Sequence, residues 1–168
     1  MPAGQEPDEY DRRRRRILWS LPTGLYVLGS RAAGQRNLMT LNWATQVATD
    51  PKLVSVSVEK AALTHRLVSE GRIFSLNVLS RSDRAVVRRF VKPLEDSGDP
   101  SQLAGFAVRE ATTGAPILDL AVSWLDCRIR QDIDCSSHTL FLGEVVDCGG
   151  AGSEELLRME DTRMNYGG

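Results

Sequence analysis

The sequence has no strong excess of charge of either sign and no long apolar run. Its 21 Lys and Arg residues nearly balance 22 Asp and Glu residues, which gives a formal net charge of -1. Nucleic-acid-binding domains are typically basic, so this balance does not favour DNA or RNA as a partner. No stretch approaches the roughly 18 apolar residues of a membrane-spanning helix. We therefore expect neither a nucleic-acid partner nor a membrane partner.

Several common catalytic and ligand-binding motifs are also absent. The phosphate-binding loops GxGxxG and GxxxxGK[ST] do not occur after any predicted strand, and neither does the GxSxG of serine hydrolases. The only histidines are His65 and His138, and no cysteine pair has zinc-ligand spacing. These absences argue against a P-loop enzyme, a Ser-His-Asp hydrolase and a metal site.

The three cysteines, Cys127, Cys135 and Cys148, form neither a CxxC pair nor an even set. We expect them to be buried or half-buried thiols, which favours a reducing compartment. The run Arg12–Arg16 and the apolar residues after it imitate a secretory signal, but Pro22 interrupts the apolar stretch. The predicted location is the cytoplasm.

A chain of 168 residues fits one domain, here 1–168. Acidic residues precede the arginine run, an order that suits a helix dipole and predicts a short helix over 8–19. The N-terminal segment 1–19 is thus a tail and a helix, and 150–168 is a C-terminal tail. The arginines of this helix suit either a solvated face or an anion site.

Alternating residues predict an antiparallel sheet. Val54, Val56 and Val58 alternate with Ser55 and Ser57 after a tight turn at Asp50-Pro51, which is typical of a half-buried strand. Further strands are predicted over 25–30, 73–79, 106–110, 117–131 and 138–148, with a bulge, bend or barrel corner near Trp124, where the apolar parity changes.

Helices and a loop separate these strands. One short helix is predicted over 61–70, and a second begins at Ser82 or Asp83 with Val86, Val87, Phe90 and Val91 on its buried face. The stretch Glu95–Leu103 reads as a mobile surface loop. Strands at short spacing with two inserted helices favour an antiparallel barrel over a βαβ sheet.

Polar groups that suit a ligand concentrate between residues 37 and 65. They are Asn37, Thr40, Asn42, Trp43, Thr45, Gln46, Ser57, Lys60, Thr64 and His65. Such groups suit a ligand with a phosphate, a polyol and a flat ring, and FMN has all three parts. The same residues also suit turns, surface hydroxyls and a core or dimer anchor, so both interpretations stay open.

The ordered combination of NLMTLNW, DP, VSVSVEK and FSLNVLS resembles the flavin reductase-like, FMN-binding split-barrel family of the flavoredoxin type. The stretch HTLFLGEVVD is similar to a later strand of that family, and the resemblance covers about residues 20–150. It implies a mainly β fold, an antiparallel Greek-key split barrel of about six strands with a few short helices. It also implies a homodimer with FMN held near the dimer interface.

The resemblance further assigns site residues by matching positions. Asn37, Met39, Thr40, Asn42 and Trp43 would border the flavin ring and its ribityl chain; Lys60, Thr64 and Lys92 would serve the phosphate; Tyr166 would cover the ring; and His138 would be the catalytic residue beside flavin or nicotinamide. Reductases of the family often have Gly-Asp before this histidine, where this chain has Ser136-Ser137. The alternative for His138 is a satisfied histidine at a strand start.

The function that the resemblance implies is an NAD(P)H:flavin oxidoreductase. It would transfer hydride from NAD(P)H to FMN and pass electrons to an accepting protein or small molecule. The alternatives are an electron-transfer flavoprotein that does not use NAD(P)H, and a non-catalytic flavin-binding module.

Overall fold

The computed structural model describes residues 7–152 and 155–164. Its helices and strands, in chain order, are α1 Pro7–Leu18, β1 Tyr26–Ala32, β2 Gln35–Leu41, β3 Ala44–Thr49, β4 Lys52–Glu59, α2 Leu63–Gly71, β5 Ile73–Val78, β6 Gln102–Leu103, β7 Phe106–Arg109, β8 Ile117–Leu118, β9 Ser123–Cys135 and β10 His138–Gly150. Seven strands form one antiparallel sheet in the order β2-β1-β5-β9-β10-β4-β3, and β6, β7 and β8 form a smaller sheet. Within the described ranges, no helix is long and apolar enough to cross a membrane.

The two edge strands of the large sheet are consecutive in the chain. β2 ends at Leu41 and β3 begins at Ala44, so only Asn42 and Trp43 separate them. Three peptide steps span at most about 11 Å, so the sheet must curl until its two edges meet at this end. This curled antiparallel sheet is the predicted split barrel, with seven strands in place of about six.

Alternate residues of the strands face two different cores. Leu28 of β1 packs into the barrel with Val56 and Phe74, whereas its neighbour Val27 packs into a second core with Phe90. The valines of β4 face the barrel as predicted, but Ser55 on the other face is buried as well. β4 is therefore more deeply buried than the predicted half-buried strand.

The helices of the structure agree with the sequence in two of three cases. α1 and α2 occupy the predicted positions, but the helix expected after Ser82 is replaced by two 3₁₀ turns at Arg81–Asp83 and Val86–Phe90. The first turn is capped by Ser80, whose Oγ accepts a hydrogen bond from Ser82 N. The second turn ends at Phe90, so Val91 is exposed and not part of the buried face.

The strand predicted over 117–131 is two strands. β8 belongs to the small sheet, residues 119–122 turn, and β9 then enters the barrel, where Cys127 packs into the core. The change of parity in the sequence therefore marks a passage between two sheets. Two register shifts between β9 and β10, at Leu142/Gly143 and Val145/Asp147, add local bulges further along.

The segment predicted to be a mobile surface loop folds over a buried guanidinium. Arg36 of β2 is 5% exposed and donates to both carboxylate oxygens of Asp96, at 2.7 and 3.0 Å. It also donates to the carbonyl oxygens of Asp99, Pro100 and Gln102. The Arg36 hydrogen bonds lower the pKa of Asp96 to about 2. This clamp fixes the path of the loop.

The three cysteines differ in exposure. Cys127 is buried, and its burial raises the pKa of its thiol to about 12. Cys135 and Cys148 are exposed, so the prediction of buried or half-buried thiols is wrong for these two. Cys135 lies at the end of β9 beside the turn to β10, and Cys148 lies near the end of β10.

A thiol titration should therefore distinguish the cysteines. With a chromogenic disulfide reagent, we expect two thiols per chain to react in the folded protein, those of the exposed Cys135 and Cys148. In denaturant, all three thiols should react. Replacing each exposed cysteine by Ser should remove one equivalent from the folded count. Rapid reaction of all three thiols in the folded protein would contradict the burial of Cys127.

Candidate functional site

A cleft of about 1400 Å³ opens at the end of the barrel where β2 passes into β3. The segment before β1, the C-terminal residues and several strand ends contribute to it. The lining residues are Leu18–Gly24, Tyr26, Asn42, Trp43, Val78, Ser137, His138, Glu155–Glu160, Thr162 and Met164. Of the residues predicted from the sequence to contact a ligand, the structure brings Asn42, Trp43 and His138 together here.

Asn42 and Trp43 form the two-residue link between the edge strands. The Trp43 carbonyl accepts a hydrogen bond from Ser57 N at 3.0 Å, which ties the link to β4. Asn42 is 4% exposed, and its Oδ1 atom has no hydrogen-bond partner among the described residues. A buried polar atom is normally paired, so this oxygen is unusual.

His138 begins β10, directly after the turn at Ser136-Ser137. Its ring centroid lies 5.1 Å from that of Trp43, with the planes tilted by 57°. Its Nδ1 pairs with Ser137 Oγ at 2.9 Å. The Ser136-Ser137 departure noted in the sequence therefore gives His138 a neutral partner.

The second histidine, His65, does not line the cleft. His65 Nε2 pairs with Thr139 Oγ1 at 2.8 Å, and its ring centroid lies 5.4 Å from that of Phe141. Burial lowers the pKa of His65, and the nearby Lys60 and His138 lower it further. His65 is therefore a hydrogen-bonded residue of the fold whose surroundings favour its neutral form.

Three of the predicted contact residues are bonded inside the protein. Asn37 Nδ2 donates to Thr64 Oγ1 at 2.8 Å, and Asn37 Oδ1 accepts from Leu94 N at 2.9 Å. Thr40 Oγ1 donates to the Val87 carbonyl. All three side chains are buried, Thr64 completely. The structure places Asn37, Thr40 and Thr64 in the hydrogen-bond network of the fold and not on the cleft.

The other predicted residues lie at varying distances from the cleft. Met39 is half-buried against the barrel core. Lys60 pairs with Asp134 at 2.8 Å, and its backbone N bonds to Ser137 O, next to the cleft rim. Lys92 is exposed and does not line the cleft. Tyr166 lies outside the described residues.

Sequence reasoning missed the aromatic side chains at the N-terminal wall. Tyr26 is half-buried, and its burial raises the pKa of its hydroxyl. A Cβ on Gly24 would lie 2.2 Å from that hydroxyl, so only glycine leaves room for the ring. Trp19 lines the same wall. The available signal was the Gly-Leu-Tyr sequence at the strand start, where a glycine precedes a large ring.

A C-terminal strap of residues 155–164 forms the opposite wall. Leu157 N bonds to Leu79 O at 2.9 Å, and Leu25 N bonds to Leu157 O at 3.1 Å. Arg81 forms ion pairs with Glu155 and Asp161, which hold the strap at two points. The sequence predicts only a tail here, because these pairings join residues far apart in the chain.

The chain is thus an antiparallel split barrel with an aromatic-lined cleft where its two sheet edges join. The chain matches the model of the flavin reductase like domain over residues 18–167, so it belongs to that family. The match begins at the last residue of α1.

A sequence match and a structural match from Streptomyces globisporus each cover most of this chain. An NADH-dependent FAD reductase is 31% identical over 147 residues, which cover 86% of this chain and 80% of that protein. The structure of an NADH:FAD oxidoreductase has a TM-score of 0.78 and 26% identity, and the match covers 94% of this chain and 93% of the other. Putative diflavin flavoprotein A 1 of Nostoc sp. is 28% identical over 131 residues, but this chain spans only 22% of its length.

Proposed function

We propose that this protein is an NAD(P)H:flavin oxidoreductase that binds FMN in the cleft and passes electrons to an accepting protein or small molecule. The observation that carries the proposal is the cleft itself. In a chain of the flavin reductase like family, Trp43, His138 and an unpaired buried oxygen of Asn42 converge at one place.

The lining residues suit a flavin. A flavin ring has two apolar faces and a polar edge. Trp43 and Tyr26 offer aromatic surface to the cleft, and Asn42 contributes a polar amide to its lining. The volume of about 1400 Å³ exceeds the roughly 300–1000 Å³ of an ordinary small-molecule pocket. This excess supports a cleft that takes a flavin and a nicotinamide side by side.

Bound flavin would supply the redox chemistry, by accepting hydride from NAD(P)H and releasing electrons singly or in pairs. The protein would bind and orient the flavin and would keep water out of the cleft. Trp43 and Tyr26 would cover apolar surface, and His138 would position the nicotinamide at the rim. Proximity and orientation dominate such a step, so no side chain need move a proton.

Lys60 is the best-placed of the predicted phosphate residues. It follows β4 directly, lies beside the turn that carries His138, and its ammonium is partly exposed. Lys92 would be a second phosphate residue, and Tyr166 would cover the flavin ring.

A homodimer is part of the proposal. Large apolar side chains at the cleft rim, Leu18, Leu21 and Leu156, are exposed in the single chain. A second copy that covered this rim would remove them from water and would close the cleft around its ligand.

One observation favours the electron-transfer alternative. His138 pairs with the Ser137 hydroxyl, so the nicotinamide side of the cleft has no acid at the position where family reductases often have one. A protein that receives electrons from another donor would not need that acid.

Anaerobic reduction tests the proposal. Purified protein loaded with FMN should absorb at about 450 nm, as bound oxidised flavins do. Addition of NADH or NADPH should bleach this band within the time of a catalytic turnover. Binding of FMN without bleaching by either nicotinamide would support the electron-transfer alternative. Failure of the protein to bind added flavin would exclude both the oxidoreductase and the electron-transfer flavoprotein.

A further inference from the structure

We infer that residues 84–91 form a docking surface for the acidic face of an electron-accepting protein. The surface consists of Arg84, Arg88, Arg89 and the apolar Val91, and we call it the arginine face. The inference rests on the proposed function and extends it, because it gives the chemistry of the protein that would take the electrons.

The arginine face concentrates positive charge that the protein itself does not neutralise. In the described ranges, 12 of the 21 Lys and Arg side chains form ion pairs. Four of the nine that form none there are Arg84, Arg88, Arg89 and Lys92, all of them exposed. The only acidic residue between positions 81 and 92 is Asp83. On a chain of net charge -1, this local excess suits a negatively charged partner.

The segment below the arginines is anchored in the core. The 3₁₀ turn Val86–Phe90 buries Val87 and Phe90 in the second core. Residues three apart lie on the same side of such a turn, which places Val91 beside Arg88, and both are exposed. The apolar side chain thus lies among the charges.

Two hydrogen bonds hold this segment to β2. Thr40 Oγ1 donates to the Val87 carbonyl, and Leu94 N donates to Asn37 Oδ1 at 2.9 Å. A backbone that is ordered before a partner arrives loses little conformational entropy on binding. The arginine face is therefore a preformed surface.

The composition of the face suits a protein partner better than a nucleic acid. Val91 is 51% exposed, and the Arg89 Cζ atom lies 5.7 Å from the centroid of the Phe106 ring. Protein interfaces are enriched in arginine and aromatic side chains. Nucleic-acid-binding domains are typically basic as a whole, and this chain is not.

The face lies next to the C-terminal strap that walls the cleft. Arg81, three residues before Arg84, donates its backbone N–H to Glu155 O at 2.8 Å, and Ser80 forms a β-bridge with Leu156. Both strap residues line the cleft, whereas the arginines of the face do not. A protein docked on the arginine face would therefore lie beside the cleft without entering it.

One-electron acceptors balance the transfer. Two acceptor molecules would dock in turn and take one electron each from reduced FMN, which returns to its oxidised form while its two protons go to water. Opposite charges on the two proteins raise the association rate and make it depend on salt.

Binding of an acidic haem protein tests the face. The soluble domain of cytochrome b5 is titrated into the flavin-free full chain at low salt, and the dissociation constant is measured by calorimetry. The variant Arg84→Gln, Arg88→Gln, Arg89→Gln should weaken binding about tenfold, because three attractive charges are lost. Basic cytochrome c should not bind the natural protein.

A matched control removes the same charge elsewhere. Arg13→Gln, Arg16→Gln, Lys52→Gln changes three exposed cations that also form no ion pair in the described part of the chain. This variant should keep the dissociation constant for cytochrome b5 within about twofold, since the arginine face is intact.

Electron transfer gives a second readout. With FMN bound and reduced photochemically, the arginine variant should reduce cytochrome b5 about tenfold more slowly than the natural protein, and the control variant should not. Both variants should bind FMN as the natural protein does, because the altered side chains do not line the cleft.

Several outcomes would overturn the inference. These are no binding of cytochrome b5 by the natural protein, equal binding by the arginine variant, and equal weakening by the control. Equal electron-transfer rates in all three forms would indicate that reduced flavin leaves the protein, which also contradicts docking. Loss of binding to a short single-stranded DNA, or a change of oligomeric state, in the arginine variant would assign the face to a nucleic acid or to a second copy instead. A natural protein that bound cytochrome b5 but no flavin would overturn the proposed function alone.

Discussion

Replacement of Arg36 by Met is expected to lower the free energy of unfolding by about 3 to 5 kcal/mol, because it leaves the Asp96 carboxylate buried without its counter-charge. The pair is well shielded, with side-chain exposures of 6% and 10%. The loop carbonyls that Arg36 satisfies would lose their donor too. Urea denaturation followed by tryptophan fluorescence would measure the change.

A surface pair provides the matched control for this variant. Arg31 and Glu110 form an ion pair with side-chain exposures of 38% and 40%, so Arg31→Met should cost less than about 1 kcal/mol. The double variant Arg36→Met, Asp96→Leu should recover part of the loss, because no unpaired charge remains. Equal effects of Arg36→Met and Arg31→Met would contradict the role of the clamp.

The same clamp sets an acid dependence. Arg36 lowers the pKa of Asp96 from 3.8 to about 2, so the pair contributes stability above about pH 4 and loses it as the pH falls toward 2. In Arg36→Met this part of the pH dependence should disappear.

Replacement of Trp43 by Ala is expected to raise the dissociation constant for FMN roughly 10- to 100-fold. Loss of an aromatic side chain from a flat ring's binding site removes about 1 to 3 kcal/mol of stacking and burial. Ultrafiltration of protein mixed with FMN, with the free flavin measured by fluorescence, gives the dissociation constant directly.

Trp124 provides the control for Trp43. It lies in β9, packs beside Arg109 and does not line the cleft. Trp124→Ala should therefore lower the melting temperature and leave the dissociation constant for FMN within about twofold of the natural value. Similar losses of FMN affinity in both variants would place the flavin elsewhere.

Local patterns in the sequence were sufficient to predict most of the strands. The alternation of Val54, Val56 and Val58 predicts β4, since a period of two residues needs no knowledge of the partner strand. The passage from β8 to β9 was not predictable in the same way. Leu118, Leu120 and Trp124 share a parity that reads as one strand. Leu118 and Leu120 pack in the second core, however, and β8 and β9 belong to different sheets.

The candidate site was predictable in composition but not in detail. Asn37 and Asn42 are the same residue type on the same stretch, and the sequence gives no means of telling them apart. Their difference comes from distant residues: Thr64 and Leu94 pair with Asn37, whereas no described residue pairs with Asn42 Oδ1. The C-terminal strap was missed for the same reason, since its hydrogen bonds pair Leu157 with the distant residues Leu25 and Leu79.

The two-residue link between β2 and β3 also bears on self-association. A long open sheet edge is a template on which strands of other molecules can add and aggregate. Here the two edges converge at Asn42 and Trp43, and a register shift between Gln46 and Ala48 interrupts the exposed edge strand β3. The joint that carries the cleft thus also shortens the edge on which a fibril could start.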